Sequence, residues 1–130
     1  LVETLASAQS TGLVQAYSFT SEPIADALVE AHGRGVAVQV ILDKSQRTED
    51  DARVRPLLDA GIPVRIDAAH AIAHNKVMVI DGETVITGSF NFTKAAEERN
   101  AENLLMIKDK ALAAKYDASW HQHNAHSQLY

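Results

Sequence analysis

Short apolar runs alternate with helix-forming stretches over the first half of this 130-residue chain, and nothing else in it restricts the fold as much. Residues 1–10 read as helix, and "GLVQAYSF" (12–19) reads as a buried strand. "SEPIADALVEAHGRG" (21–35) reads as a helix with Ser21 as cap, Pro23 in its first turn and Gly33 at its end. The pattern then repeats: "VAVQVILD" (36–43) is a strand, "TEDDARVRPLLDAG" (48–61) an acid-started helix closed by Gly61, and "IPVRI" (62–66) a short strand. Strands connected through helices become parallel neighbours, with the helices packed over the sheet.

Past residue 70 the pattern changes. "KVMVI" (76–80) and "TVITG" (84–88) are separated only by Asp81-Gly82-Glu83, a hairpin signal. "NLLMIK" (103–108) follows as a strand, and "DKALAAKYDASWHQHNAHSQ" (109–128) as a helix able to lay Leu112, Tyr116 and Trp120 on the sheet. The expected class is α/β: one domain over residues 1–130, with a mixed, mainly parallel β-sheet and helices on both faces.

Composition narrows the function. A hydrophobic content of 46% in 130 residues suffices for one sizeable core. No apolar run approaches the ~20 residues of a membrane span, so stable membrane insertion is not expected. The absence of cysteine rules out disulfides and thiolate metal ligands. A net charge of −5 disfavours coating of nucleic acid through a broad basic face, so a polyanion must be met locally. Lys44, Arg47, Arg53 and Arg55 are the candidates, offset by Glu49-Asp50-Asp51; a solvated charged loop opening a helix is the simpler explanation of them. The chain opens on Leu1 inside a helical pattern, which leads us to expect that a segment upstream has been left out.

Polar residues then appear where sheet core is expected. Side chains alternate along a strand, so His74 and Lys76 share a face, opposite that of Val77 and Val79. A Gly82-Glu83 loop sets Lys76 opposite Ser89 and His74 opposite Asn91, whereas an Asp81-Gly82 loop sets His74 opposite Ser89. Either register puts all four polar residues on one face and Gly88 on the other. Asp81 lies five residues from Lys76, about 16 Å along a strand at ~3.3 Å per residue, and is expected to serve the turn. Each residue alone has an ordinary explanation: a strand histidine, turn-forming Ser and Asn, and Thr93 as a helix cap. Their convergence does not.

His74-x-Lys76-(x4)-Asp81-(x6)-Gly88-Ser89-x-Asn91 reproduces the signature of the phospholipase D superfamily, a match expected by chance on the order of once in a million such chains. "AYSFTSEPIADAL", "AGIPVRID" and "GSFNFTKAAEERNAEN" extend the resemblance to the short bacterial endonucleases of that superfamily, which usually carry one more strand ahead of the point where this chain begins. The resemblance implies a phospholipase D-like fold and metal-independent hydrolysis of DNA or RNA phosphodiesters, with no cofactor. It implies His74 as nucleophile, forming a phosphohistidine, with Lys76, Ser89 and Asn91 binding the phosphoryl oxygens and Glu102 orienting the imidazole; Asp81 and Gly88 are structural parts of the motif. A neutral imidazole suits the first role, and donors aimed at developing oxyanion charge suit the second. One imidazole cannot be free nucleophile and proton donor in a single step, and the motif occurs once. The resemblance therefore implies a homodimer with a shared active site.

The alternatives are an enzyme of the same chemistry acting on phospholipid headgroups and a catalytically idle nucleic-acid-binding module. No metal site is expected: His121 and His123 point apart on a helix, and His123 with His126 lacks a third ligand. His70 precedes the catalytic strand and is placed to flank the site. Relatives of this kind are often exported, which points towards the periplasm.

Overall fold

The computed structural model describes residues 2–16, 22–43, 54–67, 76–88, 104–125 and 127–129. Its strands are β1 (Thr11–Ala16), β2 (Ala37–Asp43), β3 (Val64–Asp67), β4 (Lys76–Ile80), β5 (Thr84–Gly88), β6 (Leu104–Lys108) and β7 (Gln128–Leu129). The helices are α1 (Val2–Ala6), α2 (Glu22–Gly33), α3 (Arg55–Asp59) and α4 (Lys110–Ala125). The hairpin strands match the sequence reading residue for residue. The first helix does not: it stops at Ala6 instead of continuing to residue 10, because the amides of Gln9 and Ser10 are taken by the distant Asp81 carboxylate. The last helix ends at Ala125, short of the expected residue 128, and Gln128 instead opens the two-residue strand Gln128–Leu129. Ser21 and residues 17–19 and 48–53 of the expected elements lie outside the described residues.

The strands form one sheet in the order β6-β5-β4-β1-β2-β3-β7. The α/β class and mixed sheet hold, but the sheet is not mainly parallel. Only β1–β2 and β2–β3 pair in parallel, whereas β1–β4, β4–β5, β5–β6 and β3–β7 are antiparallel. Part of the cause is local: a crossover helix permits parallel return, while the three-residue β4–β5 connection allows only a hairpin.

Both faces are covered. On one, α1, α2 and α3 bring Leu5, Ile24, Leu28 and Leu57 against Val14, Val40, Met78 and Ile86. On the other, α4 brings Ala113 and Trp120 against Leu13, Ile41, Val79 and Val85, with Leu112 and Tyr116 packed at the margin. The buried Trp120 indole donates its N–H to the Val14 carbonyl at 2.9 Å, so the largest core side chain leaves no donor unpaired.

Candidate active site

The carboxyl ends of the parallel strands, at Ala16, Asp43 and Asp67, mark one end of the sheet. Lys76 pairs with Ala16, so β4 begins at that same end. Val77 pairs with Thr87 and Gly88 with Leu104, so β5 ends there and β6 starts there. The connecting segments 17–21, 44–53, 68–75 and 89–103 all join the sheet at this end. It is the end where ligands bind in open α/β sheets, beyond the carboxyl ends of the strands.

His74, Ser89, Asn91 and Glu102 lie in these segments, outside the described residues, as do His70, Lys44, Arg47 and Arg53; of Lys76 and Gly88 the backbone is described. What the sheet brings together are the stems that carry them. β4, β5 and β6 are adjacent, at about 4.8 Å per strand, so Lys76, Gly88 and Leu104 fall within about 10 Å of one another across the sheet. By covalent reach alone, at ~3.6 Å per residue, the Cα of His74 is within about 7 Å of that of Lys76, and Glu102 equally near Leu104. Ser89 directly follows Gly88.

The register differs from both of those the sequence allowed. Ile80 pairs with Thr84, leaving Asp81, Gly82 and Glu83 unpaired, and Val77 pairs with Thr87. One step further, Gly88 stands level with Lys76 and shares its face, where either two-residue loop would have put Gly88 on the other face. Asp81 (φ 56°) and Gly82 (φ 63°) both adopt the left-handed conformation of a primed hairpin turn, and the Glu83 amide closes it onto the Ile80 carbonyl at 3.1 Å. Glu83 is then an extra, unpaired residue between the turn and β5, with its carbonyl accepting from the Asp109 amide at 2.8 Å. A bulge of one residue moves the pairing by one and so reverses the faces. The common face inferred for His74, Lys76, Ser89 and Asn91 therefore does not follow from the ladder, which gives that place to Gly88.

Asp81 sits at the far end of β4 from Lys76. Its carboxylate accepts from the amides of Gln9 (3.0 Å), Ser10 (2.7 Å) and Thr11 (3.1 Å) and from the Ser10 hydroxyl (3.1 Å). Burial pushes its pKa up, but the bonds from Ser10, Thr11 and Gln9 prevail and hold it below the usual carboxylate value. A polar depression of about 250 Å³ between α1 and the β4–β5 turn, reaching Lys108, belongs to this end too and is remote from the motif stems.

Among the described residues no three His, Asp or Glu side chains gather as a metal site, and His121 pairs with Asp117 at 3.1 Å. His126, the partner considered for His123, lies outside the described residues. Nor is any described helix long and apolar enough to cross a membrane. The sequence reading passed over one feature of this end: Asp43 and Asp67 pair in register where β2 and β3 stop. Each closes an apolar run, and only the register makes them neighbours.

Comparison with known proteins agrees with this frame. The family described as "Cardiolipin synthase, PLD-like domain" matches residues 1–123. A phospholipase D of Rickettsia typhi is 42% identical over 130 residues, covering all of this chain and 64% of its own length. A mitochondrial cardiolipin hydrolase of Xenopus tropicalis is 36% identical over 100 residues, 77% of this chain and 48% of its own. The chain thus spans about half to two thirds of these relatives. Among solved structures, Nuc of Salmonella typhimurium, a phospholipase D family member, superposes with a TM-score of 0.93 at 38% identity, over 99% of this chain and 87% of its own. NucT of Helicobacter pylori gives 0.88 at 26% identity with the same coverage.

Proposed function

This chain belongs to the phospholipase D superfamily, and from that premise we propose that it is a metal-independent phosphodiesterase that cleaves DNA or RNA through a phosphohistidine, at a site shared by two copies. The observation that carries the proposal is the convergence of the stems of His74-x-Lys76, Gly88-Ser89-x-Asn91 and Glu102 on three adjacent strands at one end of the sheet.

In the first step a neutral His74 nitrogen attacks phosphorus, a P–N bond forms and the P–O bond to the leaving alkoxide breaks. The second copy's histidine gives the alkoxide its proton, and then takes a proton from the water that cleaves the P–N bond. Lys76, Ser89 and Asn91 meet the charge on the non-bridging oxygens, and Glu102 holds the other imidazole nitrogen in one tautomer. Lysine and amide donors supply here what a divalent ion supplies elsewhere. Near-full-length likeness to Nuc favours the short-endonuclease branch. A second reading, phospholipid headgroup hydrolysis, is favoured by the 42% identical phospholipase D.

One assay separates the readings: plasmid DNA, RNA and phospholipid vesicles are each incubated with the protein in excess EDTA. Nucleic acid should be cleaved, and His74→Ala should lower the rate by about three orders of magnitude or more with the melting temperature unchanged. Turnover of vesicles alone selects the lipid reading. Binding of nucleic acid without cleavage selects the idle module, and activity lost to EDTA and restored by a divalent ion refutes the mechanism.

A further inference from the structure

The chain contains a single Asp-Gly pair, Asp81-Gly82, and no Asn-Gly pair. In such a pair the glycine nitrogen is one ring closure away from the aspartate side-chain carbon, and the glycine has no Cβ to hinder the approach. Gly82 is exposed at the tip of the β4–β5 turn, with open space around it.

The fold holds this reactive pair in a form that does not close. Asp81 (φ 56°) and Gly82 (φ 63°) are both left-handed. The Asp81 amide donates to the Thr11 carbonyl at 2.9 Å, so the main chain of Asp81 is fastened to the start of β1. Its side chain is fastened there too: Oδ2 accepts from the Gln9 amide at 3.0 Å, and Oδ1 from the amides of Ser10 at 2.7 Å and Thr11 at 3.1 Å. To bring its Cγ onto the Gly82 nitrogen, the carboxylate has to let go of all three residues. Against the pull of burial, the bonds from Ser10, Thr11 and Gln9 also keep the carboxyl ionised, and an ionised carboxyl loses no water.

We propose that Asp81-Gly82 is a latent site of covalent modification, which forms isoaspartate through a cyclic imide, and that the Gln9–Thr11 link is what shields it. When the link releases, the carboxyl takes up a proton and the Gly82 nitrogen attacks Cγ. A C–N bond forms, the C–O bond breaks, and the oxygen leaves as water with the proton of the Gly82 amide. Water then opens the imide. Opening at the side-chain carbonyl restores aspartate; opening at the main-chain carbonyl leaves isoaspartate, with the mass unchanged and the chain running through Cβ. Isoaspartate lengthens the backbone of a tight turn, and its free carboxylate sits directly on Cα, without the methylene that carries it to Gln9, Ser10 and Thr11. The modified chain therefore does not rebuild the link, and the loss is irreversible. The inference is independent of the reaction proposed above.

The test stores the full chain at neutral pH, native and in urea above its unfolding midpoint, and maps its peptides for isoaspartate, which shifts retention without changing mass. The unfolded chain should accumulate isoaspartate at Asp81, and the native chain should do so at least about tenfold more slowly, in proportion to the fraction of time the link is open. Asp81→Asn removes the need for protonation, because ammonia leaves in place of water; its native form should still deamidate at least about tenfold more slowly than its unfolded form. Modified chain, returned to native buffer, should melt at a lower temperature than unmodified chain treated alongside it. Equal rates in the native and unfolded chain, native Asp81→Asn that deamidates as fast as when unfolded, no isoaspartate at Asp81 in the unfolded chain, or equal melting of modified and unmodified chain each overturns the inference. If Asp81→Asn does not fold, the two rates of the natural sequence decide alone.

Discussion

The Asp81 carboxylate takes three backbone amides and a hydroxyl from Gln9, Ser10 and Thr11, some 70 residues earlier, and so joins the α1–β1 connection to the hairpin. Nothing local in "DGET" announces those partners; the sequence revealed the turn, not what the side chain would hold. Asp81→Asn tests the charge alone, because Asn tolerates the left-handed backbone at φ 56°. The folded-state pKa lies below the ordinary 3.8, so the charged form stabilises the fold. That contribution is complete above the unfolded value and is lost as pH falls through the folded one. At neutral pH Asp81→Asn should cost about 1–2 kcal/mol, at the lower end because the carboxylate is partly in water, or roughly 3–8 °C in Tm. The gap between the two proteins should close below the folded pKa, and EDTA-resistant cleavage should persist. An unchanged Tm with activity lost would move Asp81 into the chemistry.

At the scale of elements, legibility followed the range of the cause. β4 and β5 were readable because their alternation and the Asp-Gly turn are local signals. The packed face of α4 was readable because Leu112, Tyr116 and Trp120 recur every four residues. The Glu83 bulge was not, since it is sustained by the Asp109 amide at the start of another element. Nor was β7, because two residues have no periodicity and gain strand character only from β3. The same limit reaches the site: the motif named its residues, but the level at which Gly88 meets Lys76 depended on that single unpaired residue. α4 offers the sharper energetic test. Trp120→Phe keeps an aromatic ring against Leu13 and Ile41, yet removes the donor to Val14 and leaves a void. It should cost about 2 kcal/mol in urea unfolding, with an unchanged m value. An unchanged midpoint would mean that α4 is not what closes this face.

Along the sheet, one end is tied down by Asp81 and α1, and the other carries the stems of His74, Lys76, Ser89, Asn91 and Glu102. That division fits the proposed pairing, because a two-fold axis beyond the end that carries these stems can bring two copies of one motif together without disturbing either core. A single chain carries one motif histidine, while cleavage through a covalent histidine requires a nucleophile and a proton donor in the same step. Before substrate binds, the two histidines are equivalent, so either can take either role. A dimer of wild type with His74→Ala would hold one imidazole in a centre that needs two, and should be nearly inactive. Random exchange of equal amounts leaves about a quarter of the dimers fully wild type, so activity should fall to about a quarter of that of the same total wild-type protein. Independent sites would retain about half. Activity at half, or a fully active monomer by sedimentation, would discard the shared centre and send the search for the proton donor to His70, six residues after Val64 begins β3 and four before His74.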